Sequence, residues 1–95
     1  MQRTANKVTP HMLTALAEAL VSVKSVEEME HFLRELLTSD ELRDVTLRWQ
    51  LLELLVQGMT QRRIADELQI SLCKITRGSR ILKEPDSVCA KILKG

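Results

Sequence analysis

Ninety-five residues suffice for one small domain, and a chain of this size buries only a thin core by itself, so a second copy would help it. Three glycines, two prolines, no tyrosine, one phenylalanine and one tryptophan argue against a loop-rich or all-β protein and leave Leu, Ile, Val, Met and Ala to build a helical core. The formal charge of +1 hides an asymmetry: residues 12–58 hold nine acids against four Lys/Arg, whereas residues 60–83 hold six Lys/Arg against two acids, a bias that suits an anionic partner.

The first ten residues, MQRTANKVTP, are polar and end in proline; they are expected to form a flexible arm, with one helical domain over 11–95. From His11, apolar residues at Leu13, Leu16, Ala17, Leu20, Val21 and Val23 repeat with helical spacing. Ser25 opens S-V-E-E, a capping box with Glu28. The helix behind it carries Val26, Met29, Phe32, Leu33, Leu36 and Leu37 at steps of three and four. A second box, T-S-D-E at 38–41, opens a third helix. Its expected core positions are Leu42, Val45, Leu47 or Trp49, Leu52, Leu55 and Val56, and Gly58 is its left-handed stop.

Thr60 caps a fourth helix with Ile64, Ala65 and Leu68 facing inward. Ser71 caps a fifth, through Leu82, with Leu72, Ile75 and Ile81 or Leu82 on the buried side; Pro85 stops it. A last helix fits the apolar tail, 87–93. The fold class is therefore all-α, about six short helices with short joints.

Within TQRRIADELQISLCKITRGSRILK (60–83) several constraints coincide. Ala65 is small where a second helix would cross, Gln69 stands where the turn needs an unusual backbone angle, and Ile70 and Ile75 anchor the second helix on either side of its cap. This is the pattern of a helix-turn-helix over about 60–82. If the second helix enters a major groove, Leu72, Cys73, Lys74 and Thr76 lie on its leading face. There Lys74 suits guanine, Thr76 a base or phosphate, and Leu72 or Cys73 a thymine methyl. Gln61 and Arg62, at the start of the preceding helix, and Lys83, at the far end, suit phosphates.

Catalysis and metal binding find no support. Cys73 and Cys89 are not in a metal spacing and stand far from His11 and His31, as expected of reduced thiols in a cytoplasmic protein. Glu27, Glu28, Asp40 and Glu41 are explained as helix-start residues. No apolar run reaches membrane length, and no apolar block follows the first charges as in a signal peptide.

LLTSDE (36–41), LR leading an apolar helix to QG (47–58), MTQRRIADEL (59–68) and above all KITRGSRILK (74–83) resemble the bacterial tryptophan repressor family. The resemblance implies an intertwined homodimer acting as a transcriptional repressor on tryptophan-related operator DNA, with L-tryptophan as corepressor. The alternative is a relative that answers to another small molecule or to none. It matches Arg48 to the arginine that meets the ligand carboxylate and one indole face, and Arg77 to the guanidinium on the other face. Gly78 matches the glycine that leaves room for the ring, and Thr38 a threonine near the carboxylate. Taken by themselves, Arg48 reads as a partner for Asp44, Arg77 as a phosphate contact and Thr38 as a helix cap. The chain departs from the family at Ile81, often a serine near the ligand ammonium, and at Glu35, which replaces an apolar residue. Ala65 stands where some members place lysine, and the turn at Gly58 and Met59 is one residue shorter.

Overall fold

A computed structural model describes residues 7–95 as six helices. These are α1 (Pro10–Ser22), α2 (Val26–Leu36), α3 (Ser39–Val56), α4 (Gln61–Leu68), α5 (Leu72–Lys83) and α6 (Val88–Lys94), and no strand occurs among the described residues. The chain divides into two units, Met1–Thr38 and Ser39–Gly95.

Local chemistry sets the helix boundaries. Thr9, Ser25, Thr60, Ser71 and Ser87 each accept, through the side-chain hydroxyl, a backbone N–H three residues on, at 3.0–3.4 Å. Most of the expected arm lies outside the described residues, but Thr9 and Pro10 belong to α1: the proline takes the first helical position, where its missing N–H costs nothing. Glu28 reaches back as expected, although its carboxylate meets the N–H of Lys24, at 3.2 Å, one residue ahead of the cap. α3 ends in a Schellman motif. Gly58 (φ +95°) donates to the Leu55 carbonyl and Met59 to that of Leu54. Glu84, in an extended conformation ahead of Pro85, ends α5.

In the first unit neither α1 nor α2 buries a residue completely. Leu13, Val21 and Val26 are 60%, 83% and 74% exposed, and of the expected α2 core Leu36 is exposed while Met29, Phe32, Leu33 and Leu37 are half-buried.

The second unit is built around α3, which packs against α4, α5 and α6; α5 also packs against α4 and α6. Leu51, Leu52, Ile64 and Ile75 form its core, with Trp49, Leu55, Met59, Ala65, Leu68 and Leu82 among the half-buried residues packed on it. Leu51 is absent from the expected core, and Val45 and Val56 are exposed instead of buried. A single helical stripe describes a helix with neighbours on one side. α3 has three, so adjacent residues about 100° apart are both covered.

Gly78 is where α5 approaches α3. A methyl group there would stand 2.7 Å from Leu51 Cδ1 and 3.1 Å from Leu52 Cδ2, inside contact distance of two buried side chains.

Candidate nucleic-acid interface and adjoining concavity

Three residues, Gln69 to Ser71, join α4 to α5. Gln69 adopts the left-handed conformation (φ +55°, ψ +48°) that the pattern requires at this place. Glycine would do so without strain. Here the side-chain amide of Gln69 donates to the Asp66 carbonyl at 2.7 Å, a local bond that holds the turn, while Ile70 N–H returns to the Ala65 carbonyl at 3.3 Å.

Every residue expected to face nucleic acid is exposed: Gln61 and Arg62 at the start of α4, Leu72, Cys73, Lys74 and Thr76 in the first turns of α5, and Lys83 at its end. Leu72, also expected on the buried side, is 52% exposed, whereas Ile75, three residues on, is buried. Among the described residues Arg63 pairs with Glu67 at 3.4 Å, whereas Arg62, Lys74, Arg77, Arg80 and Lys83 enter no ion pair. The cationic surplus of this segment thus stays largely unneutralised from within.

Arg48 and Arg77, which are 29 positions apart in sequence, line one concavity of about 120 Å³ between α3 and α5. Two helical stripes build it: Arg48, Leu51 and Leu52 on α3, and Lys74, Arg77, Gly78 and Ile81 on α5, with Cys89 of α6 completing the lining. The spacings i, i+3, i+4 and i, i+3, i+4, i+7 bring each set to one face of its helix. Asp44, the alternative partner for Arg48, lies 3.8 Å from Arg43, and Arg48 makes no ion pair among the described residues. Thr38 immediately precedes Ser39, the first residue of α3, and closes the first unit.

Lys74 is expected from the sequence on the outer face alone. It also lines this concavity and a larger one of about 330 Å³, bounded by Arg43, Asp44 and Leu47 of α3 and by the 69–71 turn; Arg48, Leu51 and Lys74 are common to both. The signal was present in the spacing, since Lys74 is three residues before Arg77 and four before Gly78. It becomes legible only once α3 is placed beside that stripe.

A small helical unit with an unneutralised basic helix pair and a cation-lined hollow beside it belongs to the class of helical DNA-binding regulators. The family model described as "Trp repressor protein" matches residues 11–95, and the chain belongs to that family of transcriptional repressors. Among curated relatives, a "Trp operon repressor homolog" of Chlamydia trachomatis serovar L2 is 36% identical over 74 residues, covering 73% of this chain and 79% of the relative. A protein of the same description from Actinobacillus succinogenes is 40% identical over 77 residues, 80% of this chain and 75% of its own. Another, from Haemophilus influenzae (strain PittEE), is 43% identical over 58 residues, 60% and 57% of the two chains. No solved structure gives a significant match. The family is regulatory, not enzymatic, and among the described residues no helix is long and apolar enough to cross a membrane and no His/Cys/Asp/Glu cluster is arranged to hold a metal.

Proposed function

We propose that the protein is a sequence-specific, tryptophan-gated repressor. L-tryptophan occupies the concavity between Arg48 and Arg77, and the loaded protein binds tryptophan-related operators in the cytoplasm as a homodimer. The observation that carries this reading is the convergence on one partly apolar hollow of Gly78 and two guanidiniums that form no ion pair among the described residues. A planar guanidinium pairs with a carboxylate and stacks on an aromatic face, so two of them suit an aromatic amino acid.

The DNA-facing set is Gln61, Arg62, Leu72, Cys73, Lys74, Thr76 and Lys83, all exposed and on two consecutive short helices. In a two-fold dimer the two copies of α5 would meet half-sites about one DNA turn, roughly 34 Å, apart. A homodimer is supported by the exposed Leu13, Leu16 and Val21 of α1 and by the small core of the second unit.

The test is a calorimetric titration of the full chain with L-tryptophan, followed by operator binding with and without it. Binding of the amino acid should raise operator affinity by about tenfold or more, a coupling on the order of 1–3 kcal/mol. Tryptophan binding that leaves DNA affinity unchanged overturns the gating, since only a difference in affinity between two states shifts them.

A further inference from the structure

A second cationic cleft lies in the same unit and shares no lining residue with the hollow beside Arg77. It measures about 260 Å³ and opens between the C-terminal ends of α3 and α5 and the last turn of α6. Leu55, Val56 and Leu82 give its apolar wall; Ser79, Lys83 and Lys94 supply its polar groups, and no acid lines it. Neither lysine enters an ion pair among the described residues. Glu84 and Asp86 line a neighbouring concavity that Lys94 also borders, yet neither pairs with it. Ser79 is half-buried, and its hydroxyl has no hydrogen-bond partner among the described residues.

A helix dipole favours cations in the last turn, which accounts for Lys83 in α5 and Lys94 in α6 one at a time. It does not account for their meeting. Two ammoniums brought to one cleft by different helices repel each other, and an anion between them reverses the sign of the interaction. A hydroxyl donor beside them adds the hydrogen bond that a phosphate oxygen accepts. Lys83 already stands among the residues proposed to face DNA, so the anion met at this end of α5 is the DNA backbone.

We infer that α6 belongs to the DNA interface: Lys94 adds a phosphate contact to that of Lys83, and the Ser79 hydroxyl donates to the same stretch of backbone. The inference rests on reading α5 as a DNA-facing helix. A phosphate contact holds the protein on the duplex without reading its bases, so Lys94 is a positioning residue. It also raises the number of counterions released on binding.

The experiment measures, by fluorescence anisotropy over a series of salt concentrations, the binding of the full chain to two labelled duplexes with L-tryptophan in excess. One duplex is selected from a random pool by the wild-type chain; the other is a scramble of it. Lys94→Ala should weaken both by the same factor, about threefold or more, and make the slope of log K against log salt shallower by about 0.9. Lys94→Arg, which keeps the charge, should preserve affinity and slope. Lys83→Ala should show a similar step, and the double variant the sum of the two. A merely structural role for Lys94 would weaken binding without moving the slope. An unchanged slope in Lys94→Ala overturns the inference, and the reading of α5 stands where Lys83→Ala still shows its step. Failure of wild type to bind either duplex overturns that reading and the inference with it.

Discussion

Arg48 is an exposed cation halfway along a helix, with no carboxylate of its own unit within pairing distance. An arginine in that state leaves its hydrogen-bonding capacity to water or to a ligand. Arg48→Ala should therefore weaken L-tryptophan binding by about 1.5–3 kcal/mol, the range for a hydrogen bond to a charged group, read by calorimetry. Operator affinity at saturating ligand should change little, because the residues proposed to face DNA lie on α4 and α5 and not on α3. A variant that lost both in equal measure would place Arg48 in the scaffold. Lys74 differs from Arg48 in standing among the residues proposed to face DNA as well as in the lining of the hollow. Lys74→Ala should weaken operator binding at saturating ligand by about 1–3 kcal/mol.

At the scale of the element, the joint between α4 and α5 is the most telling. Gln69 occupies a left-handed conformation that costs a side chain about 1–2 kcal/mol, offset in part by its own bond to the Asp66 carbonyl. Gln69→Gly removes the strain but loosens the unfolded chain, so a net stabilisation of about 0.5–1 kcal/mol is expected in urea unfolding. Destabilisation would mean that the side-chain bond outweighs the strain. This turn was legible in the sequence, as were Gly58 and three of the five hydroxyl caps, Ser25, Thr60 and Ser71, since a cap or a left-handed stop is decided by a few neighbouring residues. Leu51 was not legible, because its burial depends on which later helices come to lie against α3. For the same reason Arg48 and Arg77 entered the site by resemblance and not by spacing: no local rule brings two helices 29 residues apart to one hollow.

The whole molecule is constrained by how little it buries. The second unit has a core of four buried hydrophobic residues, and in α1 Leu13 and Val21 stand 60% and 83% exposed. Apolar side chains along one helix with no cover in their own unit are the expected seat of a second copy. Leu13→Asp should leave the helical circular dichroism of the chain in place yet yield monomers by sedimentation velocity at about micromolar concentration. Operator affinity should then fall sharply, since a single copy of α5 reads only half of a two-fold site. A dimer that survived this change would place the interface elsewhere on the chain.

Gly78 answers to two requirements at once. It lets α5 lie against Leu51 and Leu52, and it lines the hollow beside Arg77. A survey of substitutions would therefore find this position intolerant even in cells starved of any effector, because folding rejects bulky replacements before regulation is tried. Evolutionary retuning of the effector would then have to work through the rim, at Lys74 and Ile81, which are exposed and half-buried where Gly78 is buried.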